Sequence, residues 1–350
     1  MSGSGQRCVR ARAPLRLGFG GGGSDVSPYC DEHGGAVVNA TIDLFAHVTV
    51  QERQDSRLKL TAADRDQTWE GGLDEPVPEP LRLLKGVYDR MVRDFAGGRR
   101  FGLSMTSYAD CPPGSGLGSS SALVVAIVQA MSRYMDLGLD PHTIAKLAFD
   151  IERIDLGLAG GRQDQYAAAF GGLNFMRFHP SGAVQVEPIA APANFIRELE
   201  ASLLLYFTGV SRDSAAIIEE QSKNMRAHAP GSIEGLDALK AGAYQMRDAI
   251  RSGDFPGLGA LLDAGWASKK RTAGGISSSA IDEVLQAAKT FGVFGGKVSG
   301  AGGGGFMMFL VDPPRREDLR RLLHGFGGVT SFAKFFADGC EAWDGMTPSA

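Results

Sequence analysis

The hydrophobic pattern divides the chain into well-marked elements. Residues 8–19 and 36–51 carry apolar positions at strand spacing, the latter ending in Val48-Thr49-Val50 between polar neighbours. Residues 55–80 are polar, with Trp69, Gly71-Gly72 and three prolines, and read as loops and edge strands. From Leu81 to Phe95 the apolar residues Leu84, Val87, Tyr88 and Met91 recur at helical spacing. Residues 101–106 alternate as a strand. The uninterrupted apolar run Leu123–Met131 then marks a buried helix over 120–135. Asp140-Pro141 opens another helix, Asp as N-cap and Pro in the first turn, continuing through Arg153. Gly157 and Gly160-Gly161 break it. A short helix over 164–169 comes next, closed by Gly171-Gly172.

Pro180, Pro188 and Pro192 make residues 179–200 the natural boundary between an N-terminal unit, 1–190, and a C-terminal unit, 191–350. Beyond it Leu203–Phe207 reads as a buried strand. Helices are expected near 211–228, 232–252, 254–270 and 278–291, then a strand at 306–311, a helix at 315–324 and a strand at 329–336. Helices packed on an antiparallel sheet suit this second half.

At 350 residues the chain is long enough for two domains, each with its own core. Its 36 basic and 40 acidic residues, net charge −4, argue against nucleic acid as the main partner. No apolar run approaches a membrane span, and the loose Ser/Gly start at residues 1–5 lacks an apolar signal region. Cys8, Cys30, Cys111 and Cys340 are scattered without metal-ligand spacing, as in a reducing cytoplasm. A cytoplasmic protein with no membrane partner is expected; a homodimer is left open.

Three glycine clusters change the picture. The first, Gly18–Gly23, continues a strand interrupted by Arg16 and ends at Ser24-Asp25. Gly18, Gly20 and Gly23 match the dinucleotide fingerprint by letter, but no helix comes directly after them, so the context fails. The second runs Pro112-Pro113-Gly114-Ser115-Gly116-Leu117-Gly118-Ser119-Ser120 and leads straight into the buried helix. A glycine-rich turn into a helix N-terminus presents unpaired N–H groups and the positive end of a dipole, which suits a phosphate. It is not the Gly-Lys-Ser/Thr loop, because the one Gly-Lys pair, Gly296-Lys297, precedes Val298. In the third cluster five of the six residues 300–305 are glycine, and an apolar strand succeeds it. So costly a run joined to a core strand points to close approach of backbone to a ligand or to another loop.

These three clusters, in this order, resemble the GHMP kinases (galactokinase, homoserine kinase, mevalonate kinase and phosphomevalonate kinase), and the resemblance covers nearly the whole chain. It implies an α+β fold of two domains, the first like ribosomal protein S5 and the second a ferredoxin-like α/β sandwich, with ATP in the cleft between them. Where galactokinases read Gly-Glu-His-Thr-Asp, this chain reads Gly21-Gly22-Gly23-Ser24-Asp25. That departure is similar to the branch that phosphorylates the anomeric hydroxyl of D-glycero-D-manno-heptose 7-phosphate, forming the 1,7-bisphosphate for nucleotide-activated heptose and surface polysaccharide. The segments Gly34–Ile42 and Gly161–Gly172 look like that branch too. L-fucose kinases share the glycine-rich turn and are the alternative. A non-catalytic sensor on the same fold would be expected to lose Asp164 or the Gly-Ser loop, and both are intact.

The resemblance also implies roles. The phosphate cradle is Pro113, Gly114, Ser115, Gly116, Leu117, Gly118, Ser119 and Ser120. Mg²⁺, a hard cation that prefers oxygen ligands, falls to Ser120 and Glu152. Asp164 is the base, although by itself it reads rather as a helix N-cap. Arg16 spans the carboxylate and the γ-phosphate, its guanidinium always charged. Asp25 is expected to accept from sugar hydroxyls, with Gly22, Gly23, Ser24 and Gly302 allowing close approach. For a phosphate at the sugar's far end the Lys269-Lys270-Arg271 cluster, with Lys270 as the contact, is the candidate; its alternative is a solvated helix end.

Overall fold

The structure is a computed structural model describing residues 6–210 and 214–346. The loose start expected at residues 1–5 lies outside the described residues. In chain order the elements begin with β1 (Cys8–Gly20), α1 (Tyr29–His33), β2 (Gly35–Glu52), β3 (Arg57–Ala62), β4 (Gln67–Gly72), α2 (Arg82–Phe95) and β5 (Leu103–Ala109). Then come α3 (Ser119–Tyr134), α4 (Pro141–Asp150), α5 (Gln163–Phe170), β6 (Leu173–Phe178), β7 (Val184–Pro188), α6 (Ala193–Ser202) and β8 (Leu203–Phe207). The chain continues with α7 (Ser214–Arg226), α8 (Ser232–Ser252), α9 (Phe255–Lys269), α10 (Ser279–Phe291), β9 (Gly295–Val298), β10 (Phe306–Leu310), α11 (Arg316–His324), β11 (Val329–Ser331) and β12 (Glu341–Asp344).

Two sheets organise these elements. The larger runs β12-β1-β2-β5-β3-β4, with β6 pairing β2 and β7 pairing β6; only β3 and β5 run parallel. The smaller, β11-β8-β10-β9, is antiparallel throughout. The unbroken apolar run of β8 is explained by burial on both faces. Leu203 and Leu205 join the main core with β1, β2 and α3, whereas Leu204 and Tyr206 face a second cluster with Ile281, Val284, Leu319 and Leu323. The expectation of one core per half therefore needs correcting: the principal core is continuous across both sheets.

Helix punctuation obeys local chemistry. The Asp140 carboxylate caps α4 by accepting from the His142 and Thr143 amides, with Pro141 in the first turn. The helix then widens into a π-type turn, Ile151–Asp155, that carries Glu152. The prolines of 179–200 do not mark a bare linker. Pro188 ends the edge strand β7 of the larger sheet, and Pro192 stands at the N-cap of α6, ahead of β8 in the smaller sheet, so they punctuate elements where the chain passes from one sheet to the other. The last strand is shorter than 329–336, and the chain end crosses back so that β12 pairs with β1 of the first sheet. Residues 211–213, the expected beginning of α7, lie outside the described residues.

Candidate active site

β1 carries Arg16 into the interior and ends in the turn Gly21–Asp25. Against it packs the loop 114–118, joined by the Arg16 amide donating to the Leu117 carbonyl at 3.0 Å. The side chain of Arg16 donates from Nη1 to the Gly116 carbonyl at 2.6 Å. Its Nε and Nη2 both reach Asp164 Oδ1, at 2.8 and 2.7 Å. Arg16 is 6% exposed and Asp164 23%, so this is a largely sheltered ion pair whose carboxylate still reaches the cleft. Asp164 Oδ2 has no hydrogen-bond partner among the described residues, which leaves one oxygen for an acceptor hydroxyl. The cleft, of about 290 Å³, is lined by Arg16, Gly118, Ser120, Glu152, Asp164 and Lys269 among others.

The N-terminus of α3 opens into this cleft, with Gly118 at its N-cap and no side chain capping it. The first-turn amides are therefore left for another partner. Its loop is backed by the third glycine cluster. Ser299 Oγ donates to the Gly116 carbonyl at 3.1 Å, and the Phe306 amide donates to the Ser115 carbonyl at 2.8 Å. A Cβ on Gly116 would lie 2.5 Å from the Ser299 carbonyl oxygen, so a side chain is excluded at this backbone crossing. The glycines of 300–305 thus serve approach to another loop.

Of the expected cradle residues, Gly114, Ser115, Gly116, Gly118, Ser119 and Ser120 border the cleft. The side chains of Ser115 and Leu117 turn inward: Ser115 Oγ meets Cys111 Sγ at 3.1 Å, and Leu117 is fully buried. Those two contribute backbone only. Pro113 is exposed at the loop's shoulder, bordering a small adjoining cavity instead. Ser120 and Glu152 line the same cleft; Glu152 is buried and accepts from Gln165 Nε2 at 2.5 Å. Gly23 lines the cleft, whereas Gly22 lies behind it with its carbonyl on Lys269.

Four expectations are corrected. Asp25 is buried and already accepts from four N–H groups: the amides of Gly23, Arg162 and Gln163, and Gln163 Nε2, at 3.0–3.1 Å. Asp25 does line the cleft, but its four acceptor sites are filled, so it ties the glycine turn to the start of α5, the helix that carries Asp164. Ser24 points into the sheet, where the one proton of Oγ is shared between the carbonyls of Gly21 and Ala36, at 2.8 and 2.9 Å, and Oγ accepts from the Ala36 amide. Gly302 lies against Ile276, away from the cleft wall formed by Gly300 and Ala301. Lys270 points away and pairs with Asp282 at 3.3 Å, because successive helix residues are rotated by about 100°.

Its neighbour Lys269 is the residue that enters the cleft. Nζ donates to the Gly22 carbonyl at 2.9 Å, and burial lowers the ammonium to about 8, against the pull of Asp25 and Asp164. Lys297 is also buried and is pushed down to about 7 by desolvation, with Lys269 and Arg16 adding repulsion; it donates to the Gly18 carbonyl at 2.7 Å. Also unforeseen are Gln163, Gln165 and Gln221. Only the spacing of the Gly161–Gly172 segment hinted at the first two, and no local signal marked Gln221, whose Nε2 donates to the Gly23 carbonyl at 3.0 Å.

Comparison with known proteins places this geometry. Residues 82–172 match the GHMP kinases N terminal domain, and residues 246–326 match GHMP kinases C terminal. A D-glycero-alpha-D-manno-heptose 7-phosphate kinase of Campylobacter jejuni is 38% identical over 339 residues, covering 96% of this chain and 99% of that one. An L-fucokinase/L-fucose-1-P guanylyltransferase of Bacteroides fragilis is 28% identical, over 36% of its own length. The solved structure of a D-glycero-D-manno-heptose 1-phosphate kinase from Bacteroides thetaiotaomicron superposes with a TM-score of 0.82 at 38% identity, over 97% of this chain and all of that one. A galactokinase structure from Lactococcus lactis, at 19% identity and TM-score 0.75, shares the fold. With both family halves matched in order and near-complete coverage of a relative at 38% identity, the chain belongs to the GHMP kinase family and is a sugar kinase, a phosphotransferase with an alcohol group as acceptor.

Proposed function

We propose that this kinase transfers the γ-phosphoryl group of ATP to the anomeric hydroxyl of D-glycero-D-manno-heptose 7-phosphate, giving the 1,7-bisphosphate for nucleotide-activated heptose. The observation that carries the chemistry is the Arg16–Asp164 pair against the Gly116 carbonyl, beside an uncapped helix N-terminus. The choice of acceptor rests on the Campylobacter relative and on the open turn at Gly22, where a Cβ would come no nearer than 3.4 Å to another atom.

Phosphoryl transfer demands positioning and charge neutralisation more than covalent chemistry. The 114–120 loop and the first turn of α3 would hold the ATP phosphates through backbone N–H groups. Asp164 Oδ2 takes the proton of the anomeric hydroxyl as its oxygen bonds to the γ-phosphorus and the bond to the ADP oxygen breaks. Arg16 fixes Oδ1, keeps the carboxylate aimed, and offsets charge on the transferring group.

The donor set fits Mg²⁺. Ser120 and Glu152 supply hard oxygens to one cleft, and no group of three or more His, Cys, Asp or Glu among the described residues offers a full metal cage. Mg²⁺ held by few protein ligands keeps waters and phosphate oxygens, and when bound it would neutralise phosphate charge. Gln165 anchors the Glu152 carboxylate from behind.

The test compares kcat/KM for D-glycero-D-manno-heptose 7-phosphate, L-fucose and galactose with ATP. The heptose phosphate should be favoured by at least about a hundredfold, since a distal phosphate is a large differential-binding contribution. Equal or better use of a free sugar overturns the acceptor assignment and leaves the kinase chemistry standing.

A further inference from the structure

We infer that Lys269, contributed by α9 from the far side of the cleft, is a third charged group of the reaction centre and donates to an acceptor oxygen at or beside the attacking hydroxyl. The inference rests on the kinase reading above but not on which sugar is phosphorylated.

Burying an ammonium costs several kcal/mol unless it is paired. Lys269 is 7% exposed, yet it makes no salt bridge among the described residues. Of its three N–H donors one is used, on the Gly22 carbonyl. Asp25 is filled by four N–H groups, and Asp164 spends Oδ1 on Arg16. Asp164 Oδ2 stays free, yet no carboxylate oxygen among the described residues comes within ion-pair distance of the ammonium, and the lysine lines the cleft that also holds Arg16, Gly118 and Asp164. A ligand oxygen is the remaining partner.

The location selects which oxygen. Lys269 is hydrogen-bonded to the glycine turn and electrostatically coupled to Asp25, Arg16 and Asp164, and it makes no hydrogen bond to the 114–120 loop, so it stands with the base rather than with the ATP phosphates. Gln221 donates to the Gly23 carbonyl, Lys269 to Gly22 and Lys297 to Gly18, so the second half of the chain grips three carbonyls of the first. The charged groups facing the ammonium are Arg16 on β1, Asp25 on the turn, Asp164 on α5 and Lys297 on β9. A cation there, close to the base, lowers the energy of the developing alkoxide and orients the sugar. Because the ammonium titrates near 8, it is charged below that pH and its charge is lost above it.

The experiment uses Lys269→Gln and Lys269→Met in the full chain, with Lys270→Gln as the control, on whichever sugar the wild type phosphorylates best. Lys269→Gln retains a donor for the Gly22 carbonyl and removes only the charge, which keeps the test meaningful if Lys269→Met fails to fold. Expected is a fall of about 10²–10³ in kcat/KM for the acceptor, with KM for ATP within about threefold, the scale set by losing one preorganised donor. The alkaline fall of wild-type kcat/KM above about pH 8 should be absent in Lys269→Gln, and Lys270→Gln should match the wild type. Wild-type kcat/KM in Lys269→Gln overturns the inference, because the lysine then only ties down the turn. A loss confined to phosphorylated acceptors, with free sugars unaffected, also overturns it by placing the cation at the far phosphate. Full effects on galactose or L-fucose, with no use of the heptose phosphate, uphold Lys269 and overturn only the proposed acceptor.

Discussion

Two glycine loops meet in the middle of this molecule, and they do different work. Residues 114–118 lead into α3 and border the cleft with Gly114, Gly116 and Gly118. Residues 300–305 lead into β10 and mostly face protein: Gly302 against Ile276, Gly304 against Val210, Gly305 against Ser115. Both need backbone without side chains, the first largely for a ligand and the second for the first. Glycine content therefore reports close approach, and only the neighbour says to what. The loops differ in the element each one enters. A helix offers orphan amides at its N-terminus, whereas a strand spends its amides on the sheet.

Substitutions can sharpen or break this contrast. The largest effect should come from Asp164→Asn, which leaves both loops intact and removes the group that the first loop is built around. A drop of about 10²–10⁴ in kcat is expected with ATP affinity retained, and steady-state kinetics with an ATP-binding isotherm measure both. Near wild-type turnover would refute Asp164 as base.

Next in size is a paired test of the loops themselves. At Gly118, φ is +77° and a Cβ would sit 3.2 Å from Asp164 Cγ; at Gly302, φ is +105° and a Cβ would sit 2.7 Å from the Ile276 carbonyl oxygen. Gly118→Ala should cost more in activity, at least about tenfold in kcat, because the strain falls on the base. Gly302→Ala should cost about 1–3 kcal/mol of stability, read as a lower Tm, with the folded fraction still turning over. The reverse pattern would mean that the loops have been assigned the wrong tasks.

The smallest effect concerns the metal. Ser120→Ala and Glu152→Gln should each raise the Mg²⁺ concentration for half-maximal activity by about tenfold, since each removes a hard oxygen from a site with few of them. An unchanged titration in both variants would remove the metal role from this side of the first loop.

Much of the molecule is legible locally. The strands at 8–19 and 36–51, the helix into which the second glycine cluster leads, and the Asp140-Pro141 cap are written in period and punctuation, and they fold as read. Arg16, Asp164, Ser120 and Glu152 are legible through the family resemblance of their motifs, and the structure brings all four to one cleft. The prolines of 179–200 show only that elements end there, because proline marks an element's end and a linker with the same letter.

Tertiary structure alone decided the rest. Asp25 reads as a sugar ligand until α5 arrives to fill its carboxylate with N–H groups from residues about 137 positions away in sequence. Between Lys269 and Lys270 no pattern along the chain could choose. One residue's rotation about α9 sends the first into the cleft and the second to Asp282. Local sequence determines which backbone shapes and charges are available, because propensity, capping and periodicity act within a few residues. Which carboxylate stays free, and which cation faces it, depends on contacts between segments far apart in the chain, and those exist only once the two sheets have packed.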